Sequence, residues 1–134
     1  MSLSIPEKFH DLFSRPILCG LTTLNPNGQP HSVPVWCDLD GEYVRINCPA
    51  ATKKARNLQK NPRLSLLIID PQSSGHWVEI QGRVGEPIDD EHGARAHINK
   101  LSEKYTGNPV YQAYGASGIN RQMYVIETMK INGN

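Results

Sequence analysis

The stretch Tyr43–Asp70, YVRINCPAATKKARNLQKNPRLSLLIID, constrains the fold most, because it sets two strands around one short basic helix. Tyr43–Cys48 alternates apolar and polar residues with the period of a half-buried strand. Pro49 ends it, since proline cannot donate to a ladder. Thr52 has the position and chemistry of an N-cap, and Lys53–Lys60 is a run of good helix formers with Ala51, Ala55 and Leu58 on one face. Asn61-Pro62 stops the helix. Leu64–Ile69 is a continuous apolar run of strand length, rich enough in Leu and Ile for a core strand.

The charge of this stretch points to an anion. Arg45, Lys53, Lys54, Arg56, Lys60 and Arg63 are cations, and no acid occurs from Tyr43 to Ile69. Lys53 and Lys54 fall in the first helical turn, where the macrodipole disfavours a cation by about 0.3–1 kcal/mol. First-turn amides with adjacent ammonium groups form a site for phosphate or carboxylate. The alternative is a solvated basic face, the ordinary role of such runs; it leaves the placement of these two lysines unexplained.

The remaining segments read as strands and short helices. Pro6–Phe13 is a short amphipathic helix whose Phe9, Leu12 and Phe13 cover one end of a core. Ile17–Leu24 is a strand, Asn25-Pro26-Asn27-Gly28 a turn, and His31–Leu39 the hairpin partner. Asp40-Gly41 turns the chain into the Tyr43 strand. His76–Val84 is a further strand, with Gly82 at a bulge or close approach. Asp89-Asp90-Glu91 opens a helix running to about Tyr105, with Ala94, Ile98 and Leu101 as its apolar stripe. Thr106–Asn120 is a long loop in which Tyr111 and Tyr114 are candidates for a substrate mouth, and Met123–Ile131 is the last strand. Six antiparallel strands with two main helices, in one domain spanning 1–134, predict a mainly β fold: a β-barrel with flanking helices.

Composition removes several function classes. The net charge of +1 argues against a dedicated nucleic-acid binder. Cys19, Cys37 and Cys48 include no C-x-x-C pair and read as reduced thiols of a cytoplasmic protein, with no metal site. No run is long and apolar enough for a membrane span. His92 and His97 are five apart and do not share a helix face as two zinc ligands would; His31 and His76 read as structural. There is no G-x-S-x-G elbow, P-loop or dinucleotide fingerprint. With no catalytic side-chain constellation, a cofactor carries any reaction, and the protein supplies binding and orientation.

The order HSVPVW (31–36), a D-G turn, RIN (45–47), TKKARNLQKNPRLSLLIID (52–70) and WVEIQGRV (77–84) resembles the pyridoxamine 5'-phosphate oxidase-like flavin-binding split barrels. The likeness is greatest to their short branch, often assigned the deazaflavin coenzyme F420, and it runs from about Ile17 to Tyr105. It implies a six-stranded antiparallel split barrel and a homodimer with FMN or F420 between the subunits. It also implies hydride transfer to or from a small organic substrate; relatives of the fold that bind a flavin or haem without turnover are the alternative.

By this resemblance Thr52, Lys53 and Lys54 match the segment that grips the cofactor phosphate, with Arg56 and Asn57 in support. Asn47 and Cys48 match positions that meet the ribityl chain. Val33, Pro34 and Val35 match the strand along the ring, and Trp77 a ring or partner-subunit contact. Pro34 removes a ladder bond, which a cofactor lying on a strand edge would explain. Trp36 and Trp77 otherwise read as core or dimer interface. The last strand, QMYVIETMKING, lacks the arginine- and histidine-bearing segment that holds the substrate phosphate in true pyridoxamine phosphate oxidases, which argues against vitamin B6 oxidation.

Overall fold

A computed structural model describes residues 2–112 and 120–134. Seven strands form one antiparallel sheet: β1 (Cys19–Leu24), β2 (Pro30–Val35), β3 (Cys37–Asp40), β4 (Tyr43–Pro49), β5 (Arg63–Ile69), β6 (Trp77–Val84) and β7 (Arg121–Gly133). Their order is β2-β1-β5-β6-β7-β4-β3. Among the described residues three α-helices accompany them: α1 (His10–Ser14), α2 (Lys53–Lys60) and α3 (Ala94–Thr106). Single turns of 3-10 helix, Glu7–Phe9 and Asp90–His92, precede α1 and α3.

The expected count of six strands is corrected to seven. The run His31–Leu39 is broken at Trp36, so that β2 pairs with β1 whereas β3 pairs with β4. These two strands are the free ends of the sheet order, so a single residue carries the chain across the seam of the curled sheet. Pro34 is accommodated because β2 is an edge strand with β1 as its neighbour in the sheet.

Both expected hairpin turns form, the second with a shift of one residue. Gly28 (φ 87°) and Gly41 (φ 62°) occupy the left-handed region that a residue with a Cβ resists. The second turn is centred one residue later than expected, on Gly41-Glu42, since Asp40 pairs with Tyr43. Gly82 sits at a break in register between β6 and β7, and a Cβ there would overlap the Glu127 carbonyl oxygen.

The core lies inside the curled sheet. Leu21, Val44, Ile46, Leu66, Ile68, Val78, Ile80, Tyr124 and Ile126 are all buried in it. Phe9, Leu12 and Phe13 close one end, as the amphipathic N-terminal pattern requires. In α2 the buried residues are Ala55, Asn57 and Leu58, whereas Ala51 lies before the helix and is exposed. In α3 the stripe Ala94, Ile98 and Leu101 is buried together with His97 and Ser102. No helix among the described residues is long and apolar enough to cross a membrane.

Candidate functional site

A cavity of about 490 Å³ opens where α2 begins, between the start of β7, the ends of β2 and β4, and α3. That volume falls within the range of about 300–1,000 Å³ usual for small-molecule clefts. The lining divides by chemistry: Leu18, Pro34, Val35, Trp36 and Ile98 are apolar, whereas Asn47, Thr52, Lys54 and Arg121 are polar or cationic. Tyr111 also lines it, edge-on to Trp36 with ring centroids 6.0 Å apart and its face under the Arg121 guanidinium.

The helix start is built by Thr52. Its extended backbone (φ −85°, ψ 158°) makes it the N-cap, and its hydroxyl accepts from the Ala55 amide at 3.4 Å and donates to the Pro49 carbonyl at 2.8 Å. Lys53 is exposed and Lys54 half-buried, so the first turn presents one ammonium to solvent and one to the cavity. No acid occupies this turn. An α-helix leaves its first amides without intrahelical partners, so these lysines add charge to a site already polarised for an anion.

Beneath the cavity runs a chain of buried polar groups. Asn47 Oδ1 accepts from Arg121 Nε at 2.8 Å, and its Nδ2 donates to the Ala94 carbonyl at 2.9 Å and to His97 Nδ1 at 3.1 Å. Because an amide nitrogen only donates, Nδ1 accepts, and the proton of the ring lies on Nε2, which donates to Asp38 Oδ1 at 3.0 Å. Asp38 also takes two hydrogen bonds from Arg45, at 3.0 and 2.6 Å. Burial by itself would raise the Asp38 pKa, but the hydrogen bonds from His97 and Arg45 outweigh it and hold the carboxyl well below the usual range. Burial lowers the Arg121 pKa. The Cys48 thiol is pushed up by burial, against the opposing charges of Lys54 and Arg121.

Of the residues singled out in the sequence, the cavity brings together Pro34, Val35, Asn47, Thr52, Lys54 and Tyr111. Val33, Cys48, Lys53, Arg56, Asn57 and Trp77 are not in its lining. Cys48 is buried in the core. Arg56 is exposed and donates to the Ala51 carbonyl at 2.7 Å. The Asn57 amide is buried and donates to Thr23 Oγ1 at 3.1 Å and Asn25 Oδ1 at 3.0 Å, fastening α2 to β1 and its turn. Trp77 starts β6, where it pairs with Ile69 and exchanges backbone hydrogen bonds with Asn134. Tyr114 lies outside the described residues.

Sequence reasoning missed Leu18, Trp36, Ile98 and Arg121 as lining. Trp36, expected in the core or an interface, stacks on Tyr105 at 5.0 Å and 8° as part of the cavity wall. Arg121 had one available signal, a lone cation directly before an apolar strand, but nothing local shows that β7 delivers it beside Asn47.

A second cluster stands apart. Asp11, Asp70 and His76 bring ligand-type atoms within 4.8 Å of one another. Arg15 bridges both carboxylates, at 3.3 and 3.1 Å, and His76 bonds Asp11 and the Asn134 carbonyl. The geometry is that of an ion-pair clip joining α1, the end of β5 and the last residue of the chain.

The curled antiparallel sheet with flanking helices, and a cavity at a capped basic helix start, define the class of the flavin-binding split barrels. The model of the pyridoxamine 5'-phosphate oxidase family matches residues 5–133, and the chain belongs to that family. Among solved structures it is similar to an F420 reductase, at 26% identity and a TM-score of 0.82, with 96% of this chain and 98% of the other covered. It is also similar to the conserved hypothetical protein Rv2991 of Mycobacterium tuberculosis (23% identity, TM-score 0.70, 97% and 84% covered). HupZ of Group A Streptococcus shares the fold (16% identity, TM-score 0.66, 95% and 91% covered). No curated protein matches the chain.

Proposed function

We propose that the protein is an oxidoreductase that uses a flavin-type cofactor, FMN or the deazaflavin F420, to move a hydride to or from a small organic substrate. The observation that carries this reading is the division of the cavity: an aromatic and aliphatic wall suited to a planar ring adjoins a capped helix start bearing Lys54, suited to a phosphate. When bound, the cofactor supplies the hydride chemistry. Lys54 and the first-turn amides would bind the phosphate, at a helix start that the Thr52 cap holds in place. Pro34, Val35 and Trp36 flank the ring and keep water from it, and Asn47 stands between the two regions with its amide direction fixed by Arg121.

F420 is the favoured cofactor. Lys53, Arg56 and Lys60 are all exposed and recur at helical spacing, so a basic stripe leads away from the phosphate end along α2. Such a stripe suits the acidic oligoglutamyl tail that F420 carries and FMN lacks. The likeness to an F420 reductase supports the same choice. In this reading a second copy covers the outward-facing Leu67 and Ile69, which are exposed on the sheet, and Trp77 next to Ile69 contacts that copy.

Side-by-side fluorescence titration of the apoprotein with F420, FMN and haem tests the proposal. Tight binding of F420, weaker binding of FMN and none of haem are expected. Haem binding without either flavin would replace the enzyme reading with a haem-handling one. Sedimentation of the loaded protein as a monomer would remove the second copy from the reading.

A further inference from the structure

Cys19 and Cys37 are both buried, and their sulfurs stand 3.2 Å apart although 18 residues separate them in sequence. Their place in the fold is particular. Cys19 lies on β1, beside the edge strand β2, and Cys37 on β3, the strand at the opposite end of the sheet order. The pair therefore faces across the seam that the sheet ladder leaves open. A disulfide needs sulfurs about 2.0 Å apart, so closing the gap requires about 1 Å of movement.

The surroundings shape the pair for one-sided reactivity. Tyr105 roofs it: the hydroxyl donates to the Ile17 carbonyl at 2.7 Å, accepts from the Cys37 amide at 3.3 Å, and lies 3.9 Å from Cys19 Sγ. Lys104 donates to the Cys37 carbonyl at 2.7 Å and also to the Phe13 carbonyl. The Cys37 thiol and the nearby Lys104 charge favour the Cys19 thiolate, whereas hydrogen bonding and burial disfavour that of Cys37. The pair adjoins the cavity, since Leu18 next to Cys19 and Trp36 next to Cys37 both line it.

We propose that Cys19 and Cys37 are a peroxide-oxidisable dithiol whose disulfide closes the barrel seam beside the cavity. The Cys19 thiolate attacks one peroxide oxygen, the O–O bond breaks, and the leaving hydroxide takes up the Cys19 proton as water. The resulting sulfenic acid is attacked at sulfur by Cys37. The S–S bond forms, the S–O bond breaks, and the second water carries away the Cys37 proton. Two thiols are oxidised and one hydrogen peroxide is reduced to two waters. Cys48, buried elsewhere in the core, takes no part. The proposal stands on the thiol pair and does not depend on which cofactor the cavity holds.

The test is peroxide treatment of the reduced full-length protein, followed by unfolding in an alkylating agent and mass analysis. The expected product has lost two hydrogens, yields a linked Cys19–Cys37 peptide, keeps one alkylatable cysteine, and reverts with dithiothreitol. The oxidised form is also expected to melt at a higher temperature, because the cross-link restricts the unfolded chain. Recovery of all three cysteines as free thiols would overturn the proposal, and so would sulfinic acid at either position or a bridge to Cys48. The wild-type map decides without any variant, and Cys48→Ser is expected to give the same linked peptide.

Discussion

Asn47 on β4 accepts a hydrogen bond from Arg121 at the start of β7, 2.8 Å away and 74 residues along the chain, with both residues buried. This bond sets the direction of the Asn47 amide, and through it the tautomer of His97. Asn47→Ala removes one partner of a buried guanidinium along with the bonds to Ala94 and His97. A cost of about 1–3 kcal/mol is expected, the range when buried hydrogen bonds are removed and a partner atom stays buried. Chemical denaturation measures it, and a loss below about 0.5 kcal/mol would show that the chain of polar groups is dispensable.

Lys54 separates binding from stability. Lys54→Ala is expected to weaken cofactor binding by about 1.5–3 kcal/mol, roughly ten- to a hundredfold. The same change removes a cation from the first turn of α2 and is expected to stabilise the free protein by about 0.3–1 kcal/mol. Titration and thermal melting of one variant thus give opposite signs. Unchanged affinity would take Lys54 out of the site.

Asn57 presents the reverse case. Its amide is engaged with Thr23 and Asn25, so Asn57→Ala is expected to cost about 1–3 kcal/mol of stability. Cofactor affinity, measured well below the melting transition, should stay within about twofold. A larger loss would return Asn57 to the binding site.

Asp38 predicts the response to acid. Its folded pKa is depressed because hydrogen bonds from His97 and Arg45 outweigh burial. The associated stability is fully present above the ordinary Asp value of about 3.9 and is lost as pH falls from there toward the depressed folded value. Melting temperatures followed from pH 7 to pH 3 should therefore fall most steeply below about pH 4. Asp38→Asn should cost about 3 kcal/mol at neutral pH, as expected when one partner of a buried pair is neutralised, and should flatten that acid slope.

Wherever the determining interactions were local, the sequence alone was sufficient. The alternation in Tyr43–Cys48, the Thr52 cap, the two glycine turns, the Gly82 close approach and the α3 stripe all follow from backbone and periodicity rules acting over a few residues. The two lysines at a helix start were legible for the same reason, as was the family. Tertiary structure decided what depends on juxtaposition. The break at Trp36 is invisible in an alternating run, because it arises from the curl of the sheet, which gives β2 and β3 different neighbours. Arg121 meets Asn47, and Cys19 meets Cys37, only because strand order places distant segments side by side. The family resemblance implies that Asn57 supports the phosphate site. The structure shows its amide hydrogen-bonded to Thr23 and Asn25, since a buried polar group must be hydrogen-bonded and β1 with its turn supplies the partners.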